Sequence, residues 1–545
     1  MILFLQKKMN SRLFLYSAFF FVTILLYDAY SIQDQGDTPQ NEVLEESYKS
    51  PPSTNNVVDD KRSIQLKSDE ADTTTSSRNV PKVIDIESNN LKVKISLDDG
   101  SIIRAELRKF KKSFGGESNV VLIDATNSGY RAGADVQFST LKSPIGYSAD
   151  KQTYFADTYP YTISIVSDRK EYKVIKKYTF FESSHLINVE NEVINKSTQE
   201  IQARYYNTIQ RGEDLSSNVM LYTYTGAAFY DDENKFSKVS FDDIADSNFQ
   251  LKTKSSWISM LEHYFFSAWI SAKDSIQTIY TRDLSSTNAG SSYLVGSVTD
   301  YFIIPENSSK TFSSDLYVGP KTVSEISEIS EGLDLTVDYG VLTFLAAPLF
   351  WVLEKLNLFL NNWGLALIML TVLIKILFFK LSETSYKSMA KMKKLAPRMT
   401  ALKERYSDNR QKFSEELMKV YKQEKVNPLG GCLPILVQIP VFIALYWVII
   451  ESVEMRHAPF IGWIGDLSSK DPYYVLPILM GVSMYIQQKL NPPPTDAMQQ
   501  KIFLALPFIF TALFATFPSG LVLYWLVNNI LSIAQQYVIN KRLSV

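Results

Sequence analysis

A series of apolar segments in the C-terminal part of the chain restricts its fold more than any other feature. Beyond Gly332, five such segments are separated by more polar stretches, and they run over residues 363–381, 429–450, 473–487, 502–517 and 521–539. Lipid offers no hydrogen-bonding partners, so a backbone that crosses it must satisfy its polar groups internally, as a helix does. Prolines within these segments are tolerated where neighbouring helices satisfy the freed backbone groups. The pattern predicts a polytopic α-helical membrane protein.

A shorter apolar run near the N-terminus, LFLYSAFFFVTILLY, has 15 residues and follows three basic residues. It fits either an uncleaved membrane anchor or the apolar part of a secretion signal. The small-residue site after it, Ala29-Tyr30-Ser31, is poor for cleavage, so we expect a signal anchor over residues 1–30. Met9 is an alternative start, because the sequence from there reads as a complete anchor. Basic charge ahead of the run directs the following residues out of the cytoplasm.

Charge is distributed unevenly along the chain, although the formal net charge is only −2. Residues 31–340 carry 32 basic and 45 acidic side chains, a net −13, whereas residues 341–545 carry 21 and 12, a net +9. Residues 382–428 alone contain 12 Lys and Arg against 6 Asp and Glu. Six spans place this basic loop and the final Lys541-Arg542 on the side of the N-terminus, which the positive-inside rule assigns to the cytoplasm. Residues 31–340 are then expected on the outer side.

The region between the first and second spans divides into two parts that differ in composition and in hydrophobic pattern. Residues 31–79 are rich in Ser, Thr, Asp and Asn and cannot bury enough apolar surface to fold, so we expect a disordered linker. Residues 80–332 show short alternating runs, such as Tyr161–Val166, separated by turn residues. Many short strands at this spacing predict an all-β sandwich. This region has no cysteine, so packing must supply its stability.

The boundaries that follow from these patterns define eleven segments. Residues 333–361 are apolar but contain Pro348, Glu354 and Lys355, which fits a helix in the membrane interface better than a span. The full expectation is an anchor at 1–30, a linker at 31–79, a β-sandwich at 80–332, an interfacial amphipathic helix at 333–361, span 2 at 362–381, a basic helical hairpin at 382–428, span 3 at 429–452, span 4 at 472–490, span 5 at 501–517, span 6 at 518–540 and a short cytoplasmic tail at 541–545.

The basic loop is itself predicted to be helical, because its apolar residues recur on one face of each of two helices. One interpretation is that these stripes only pack the two helices together. The other is that the methionines form an adaptable surface for apolar partners and the lysines attract anionic ones, such as ribosomal RNA or lipid headgroups. The candidate recruitment residues are Met389, Met392, Lys391, Lys393, Lys394 and Arg398.

Lys375 is the most informative single residue, because it lies within a predicted span, six residues before Leu381. A charge at the centre of a span costs about 2.5–3.5 kcal/mol on insertion scales, and less if the side chain reaches the interface. Reaching the interface is one explanation, and a cation in a water-filled cavity is the other. Polar residues that are candidates to line such a cavity are Thr371, Gln438, Asn528, Asn529, Ser532, Gln535 and Gln536. No acidic residue within the apolar segments is available to pair with Lys375, so it is free to attract an acid supplied by a substrate.

Patterns for enzymatic chemistry are absent from the sequence: there is no P-loop, no GxSxG motif and no zinc-ligand spacing. The three histidines, His185, His263 and His457, are scattered. Cys432, next to Gly431, is expected to be a packing residue. We therefore expect no catalysis, no cofactor and no metal.

Several motifs resemble the YidC branch of the Oxa/Alb family of membrane protein insertases. They are KVNPLGGCLP at 425–434 followed by Gln438-Ile439-Pro440, SMAKM at 388–392, DPYY at 471–474, FPSGLVLY at 517–524 and, in the outer region, WISM at 257–260. The resemblance covers nearly the whole chain and is most specific beyond residue 333.

This resemblance implies a Gram-negative inner-membrane insertase and chaperone with a five-span core, a preceding anchor and a periplasmic β-super-sandwich. It also implies a groove, open to the cytoplasm and to lipid, that holds one positive residue. That residue is usually Arg, and the matching position here is Lys375. Together with the polar candidates above, this gives Lys375, Thr371, Gln438, Asn528 and Ser532 as the residues expected in the substrate groove. The implied partners are nascent membrane proteins, the Sec translocon, the ribosome through residues 383–425, and the bilayer, with a monomer as the functional unit.

Two other functions remain open at this stage. A channel or small-molecule transporter would also use polar groups inside a membrane, although the sequence shows no internal repeats. A membrane-tethered carbohydrate enzyme would use the β-sandwich, although no pair of carboxylates stands out in it. Deleting residues 80–330 separates the last case from an insertase, which should keep much of its activity.

Overall fold

The computed structural model describes the chain from residue 82 onward, with gaps. The predicted anchor at 1–30, the linker at 31–79 and most of the motif at 425–434 lie outside the described residues. The described ranges are 82–144, 146–212, 224–254, 256–272, 275–285, 291–406, 409–424, 426, 433–491 and 497–542.

The first part of the described chain is an all-β domain with two sheets. The larger sheet has 11 strands, in the order β13-β16-β17-β10-β5-β3-β2-β1-β6, with β4 paired to β3 and β18 to β10. Its strands are β1 Val83–Glu87, β2 Leu91–Ser96, β3 Ile102–Lys111, β4 Asn119–Asp124, β5 Arg131–Phe138, β6 Thr153–Phe155, β10 Ile201–Gly212, β13 Gln250–Lys254, β16 Ile276–Asp283, β17 Ser292–Thr299 and β18 Phe302–Ile304. The pairing is antiparallel except between β1 and β6.

The smaller sheet has 8 strands in the order β12-β11-β14-β15-β19-β9-β8-β7, all paired antiparallel. Its strands are β7 Tyr161–Asp168, β8 Tyr172–Phe180, β9 Leu186–Asn195, β11 Gly226–Asp231, β12 Lys235–Val239, β14 Trp257–Leu261, β15 Phe265–Ser271 and β19 Ser309–Pro320. The two sheets are joined across the core by hydrogen bonds, among them Tyr205 Oη to Ser314 Oγ at 2.8 Å and Trp269 Nε1 to the Thr208 carbonyl at 3.1 Å. The sandwich predicted from the alternating pattern is confirmed.

A buried ion pair also lies between the sheets. Lys176 of β8 is fully buried, and its Nζ lies 3.2 Å from Oδ2 of Asp135 in β5. Burial raises the pKa of the Asp135 carboxyl even though Lys176 lies beside it. The pair therefore sits in a poorly solvated site, and Lys176 occupies one of the buried positions of β8, between Val174 and Tyr178.

Ten helices accompany and follow the sheets in the described residues. They are α1 Phe241–Asp246, α2 Val323–Ile329, α3 Thr343–Leu360, α4 Trp363–Leu377, α5 Phe379–Arg405, α6 Arg410–Gln423, α7 Leu433–Glu451, α8 Val475–Leu490, α9 Ala497–Phe514 and α10 Ser519–Arg542. Short 3-10 turns lie at Leu333–Thr336, Gly340–Leu342 and Val453–Met455.

By length and apolar composition, one stretch of the described chain, Gly340–Leu360, is sufficient to cross a membrane by itself. The pair α4 and α5 passes the same test together, with a bend of 68° at Phe378, and Val437–Glu451 and Gln500–Phe514 are shorter apolar helices. The helix α3 falls where we expect an interfacial helix, so its placement in the interface and the number of spans stay predictions.

Helix α10 occupies the centre of the helical part, where it contacts α4, α5, α7 and α8. Twelve of its residues are buried, including Tyr524, Asn528, Asn529, Ser532 and Gln536. A central helix that buries amides and hydroxyls must satisfy them within the protein. The hydrogen-bond partners of its polar side chains therefore show which helices present polar groups to the interior of the helical part.

The sandwich contacts the helical part through the turn between β14 and β15 and through the β3–β4 hairpin. His263 Nε2 donates to the Ile450 carbonyl at 2.9 Å, at the C-terminal end of α7. Arg456 Nη2 donates to the carbonyls of Lys111 and Lys112 at 2.7 and 2.9 Å. Helix α7 is thus held at its end by the sandwich, since its last carbonyls have no partner within the helix.

Candidate functional site

A small cleft lies between α4, the start of α5 and α7. It encloses about 330 Å³, counted to its open mouth. Its walls are mainly apolar, with one cation, one amide and one hydroxyl, and its lining residues are Ile374, Lys375, Phe378, Leu381, Ser382, Val437, Gln438 and Val441. The bend at Phe378 separates α4 from α5, so residues on both sides of the break face the same space.

Lys375 lies in the last turn of α4, beside this bend. Its Nζ donates to Oγ of Ser532 in α10 at 2.7 Å, and the Ser532 hydroxyl donates to the Asn528 carbonyl at 2.7 Å. Within the described part of the chain no carboxylate forms an ion pair with Lys375. A half-buried ammonium with a neutral partner keeps its capacity to attract an anion.

Gln438 of α7 connects the same cleft to α10. Its Nε2 donates to the Tyr524 hydroxyl at 2.6 Å and to Asn528 Oδ1 at 2.9 Å. Tyr524, Asn528 and Ser532 are spaced four residues apart, so they form one stripe along α10. The stripe and the cleft together make a continuous polar strip between α4, α7 and α10.

The five residues expected in a substrate groove are arranged in two ways. Lys375 and Gln438 line the cleft, and Ser532 and Asn528 hydrogen-bond to them. Thr371 instead donates to the Leu367 carbonyl of its own helix at 2.7 Å and is buried away from the cleft lining. That these residues contact a substrate stays a prediction.

Other polar candidates within the helices have different neighbours. Asn529 donates to Ser483 of α8 at 3.0 Å, and Gln536 donates to Asn491, just past α8, at 3.1 Å. Gln535 Nε2 donates to the Phe379 carbonyl at 3.3 Å. Polar character alone did not distinguish these residues from those of the cleft.

Sequence reasoning did not single out Tyr524 and Ser382 as part of this site. Tyr524 lies four residues before Asn528, so helical spacing was sufficient to place it on the stripe. Ser382 follows the bend at Phe378, which the sequence of a continuous apolar run does not reveal. Among the described residues, no three His, Cys, Asp or Glu lie close enough together to bind a metal ion.

The basic hairpin is formed by α5 and α6. Arg398 Nη1 donates to Glu424 Oε1 at 3.0 Å, and the buried Tyr421 hydroxyl lies 3.9 Å from the sulfur of Met399. Of the candidate recruitment residues, Met389 and Met392 are half-buried, whereas Lys391, Lys393, Lys394 and Arg398 are exposed. The apolar residues of α5 therefore pack within the hairpin, while its basic residues remain exposed to solvent.

Two family models match the chain over adjoining regions. Residues 83–352 match the model described as YidC periplasmic domain, and residues 355–544 match the one described as 60Kd inner membrane protein. The two matches meet within α3, between residues 352 and 355.

Curated relatives match over most of their own length. A membrane protein insertase YidC of Nitrosococcus oceani is 39% identical over 98% of this chain and 99% of the relative. The YidC of Methylobacillus flagellatus is 44% identical over 84% of each chain. A crystal structure described as an active YidC insertase with the first transmembrane domain resolved matches 85% of this chain and 93% of that one, with 18% identity and a TM-score of 0.39.

Proposed function

The chain belongs to the YidC family of membrane protein insertases, and from this we propose that it inserts nascent proteins into the bacterial inner membrane and helps them fold. The observation that carries this proposal is the cleft at Lys375. It combines an ammonium whose hydrogen-bond partner, Ser532, is neutral, the amide of Gln438 and a wall of apolar side chains. A nascent membrane segment offers both an apolar stretch and, at its outer end, acidic residues that match these groups.

The proposed mechanism needs no nucleotide. A hydrophobic segment enters along α7 and α9, and its transfer into lipid is driven by apolar burial, at about 0.8 kcal/mol per CH₂ group. The polar strip shortens the path over which the hydrophilic residues of the substrate meet only apolar surroundings. Lys375 holds the acidic outer end briefly, because a charge in a site of low dielectric attracts an opposite charge strongly.

The proposed topology has six spans with the N-terminus in the cytoplasm and residues 31–340 in the periplasm. Helix α3 is proposed to lie in the outer interface, since Phe344, Trp351 and Phe359 are 75%, 59% and 87% exposed on a helix that also carries Glu354 and Lys355. The exposed lysines of α5 then face the cytoplasm, as the positive-inside rule requires.

The proposed partners follow from these surfaces. The exposed basic face of the hairpin suits the ribosome, whose RNA is strongly anionic. Cooperation with the Sec translocon and a monomer as the functional unit are both proposed from the family.

A photo-crosslinking amino acid at Gln438 tests the groove during translation of a small membrane protein. We expect adducts with the nascent chain at Gln438, and few at Ile530, which is exposed on α10 and provides a matched control within the helical part. Equal yields at both positions, or no adduct at Gln438, would contradict the groove model.

A further inference from the structure

Helix α10 carries two separate polar stripes. The first contains Asn528 and Ser532, which face Lys375 and Gln438. The second contains Asn529 and Gln536, which face α8. At 3.6 residues per turn, the two stripes are separated by about 70° around the helix axis. The adjacent side chains of Asn528 and Asn529 therefore hydrogen-bond to two different helices, α7 and α8.

The second stripe makes specific hydrogen bonds within the protein. Asn529 Nδ2 donates to Ser483 Oγ at 3.0 Å, and both residues are buried. The Ser483 hydroxyl itself donates to the Met480 carbonyl at 2.6 Å, so its oxygen acts as the acceptor for Asn529. Gln536, which is 1% exposed, donates to Asn491 Oδ1 at 3.1 Å. We call Ser483, Asn491, Asn529 and Gln536 the α8–α10 seam.

The seam restricts rotation of α10 about its axis. A turn by one residue position, about 100°, would remove Asn529 from Ser483 and expose its amide to apolar surroundings, where an unpaired amide is costly. The same turn would also move Ser532 from Lys375 and Asn528 from Gln438. The two stripes are rigidly linked because they share one helix backbone.

We propose that the α8–α10 seam sets the rotation of α10 and thereby aims Asn528 and Ser532 at the cleft. Asn529 is a positioning residue in this scheme, acting through the helix without itself contacting the cleft. The importance of Asn529 for insertion rests on the proposed function. Its effect on the rotation of α10 does not depend on that function. If the seam only joined α8 to α10, its loss would weaken packing and leave the side of α10 that faces Gln438 unchanged.

Thiol crosslinking measures that geometry directly. The chain has one cysteine, so a Cys432→Ser background removes interference. In this full-length chain, a short bifunctional thiol reagent is applied to membranes that carry Gln438→Cys with either Asn528→Cys or Val527→Cys. We expect the 438–528 pair to give the higher yield when the seam is intact.

Breaking the seam with Asn529→Leu should lower the ratio of the 438–528 to the 438–527 yield by about threefold to tenfold, the effect of losing one interhelical hydrogen bond. Ser483→Ala, a smaller change that removes only the acceptor, should act in the same direction and serves where Asn529→Leu does not fold. The exchange Asn529→Ser with Ser483→Asn restores a donor and an acceptor, so it should restore the ratio. Tyr537→Phe, on the exposed side of α10, is the control.

An unchanged ratio in folded Ser483→Ala and Asn529→Leu chains would overturn the proposal, as would failure of the exchange to restore it. Insertion by the same variants is measured separately. A changed ratio with unchanged insertion would contradict the role of the cleft in insertion, and would leave the geometric role of the seam established.

Discussion

At the scale of single residues, Lys375 is distinctive because the chain has a lysine where the resemblance of its sequence implies an arginine. A lysine keeps the positive charge but lacks the planar fork that binds a carboxylate through two hydrogen bonds. Its single ammonium already donates to Ser532 at 2.7 Å and has two further hydrogens. We infer that it acts as a point charge toward its substrate.

Exchanging this charge should affect substrates according to the charge of their outer tails. With Lys375→Glu, insertion of substrates with acidic outer tails should fall about tenfold or more, because a like charge at close range costs over 1.4 kcal/mol in a poorly solvated site. Lys375→Arg should retain most activity. The measurement is protease protection of the tail in membrane vesicles, with neutral-tailed substrates as the control. Equal activity of the Glu and Arg variants would indicate that the amine only reaches the lipid headgroups.

The buried pair Lys176–Asp135 yields a prediction about stability. Asp135→Asn removes the carboxylate that lies 3.2 Å from the fully buried Lys176 ammonium, which should destabilise the sandwich by about 3–5 kcal/mol. Adding Lys176→Met removes the unpaired charge and should recover most of that loss. Urea-dependent proteolysis of the sandwich in the purified full-length chain measures both. If the double variant is as unstable as the single one, the pair contributes through packing rather than charge.

Single residues were predictable where their type was exceptional for their surroundings. Lys375 stood out because it is a charge in an apolar run, and its polar neighbours Gln438, Asn528 and Ser532 stood out similarly. Their pairing depends on helix rotation, which one sequence does not specify. Asn528 and Asn529 are identical in type and adjacent, yet they face different helices.

At the scale of elements, the hairpin of α5 and α6 separates a packed face from a charged one. Lys391→Glu with Lys393→Glu should weaken ribosome binding about tenfold at low salt, and the difference from wild type should shrink as salt screens the charges. Lys412→Glu with Lys422→Glu makes the same change of charge on α6 and should have a smaller effect. Co-sedimentation of ribosomes with the purified protein measures this. Equal effects of the two pairs would show that only total charge matters.

Element types followed from periodicity more reliably than element ends did. The alternating pattern that predicted strands is visible in β8, where every second residue is buried. The apolar run at 363–381 gave no indication of the bend at Phe378, because the run continues through Phe378, Phe379 and Leu381 with no proline or glycine to mark a break. That bend matters for the site, since it opens the cleft beside Lys375.

At the scale of the whole molecule, the sequence separated an acidic outer part from a basic helical part, but it did not show how they join. Contacts such as His263 to Ile450 link residues 187 positions apart, and no local pattern encodes such a pairing. Several ionisable groups lie close together around His263, where the sandwich contacts the helical part, and we call this contact region the joint. Lys321 and Arg456 oppose protonation of His263, while Glu451 lies 3.9 Å from its Nε2. Burial lowers the pKa of Lys321 to about 8.

This joint should weaken as the periplasmic side is acidified. Burial, reinforced by Lys321, lowers the pKa of His263 to about 4 from an ordinary value of 6.5. Undocked His263 binds a proton below pH 6.5, whereas docked His263 stays neutral until about pH 4, so the docked state loses stability as the pH falls through this window. The shift corresponds to at most about 3 kcal/mol.

The variant His263→Gln tests this contribution, because its amide can still donate to the Ile450 carbonyl but does not titrate. Half-buried Glu454, whose pKa is raised to about 7, acts in the opposite direction in the same window, since its docked form prefers to be protonated. The effect of His263 is therefore the difference between variant and wild type. Hydrogen exchange in the β14–β15 turn at pH 7 and pH 5 should show acid-induced opening in the wild type and much less in the variant. The same increase in both would assign the pH dependence to other groups of the joint.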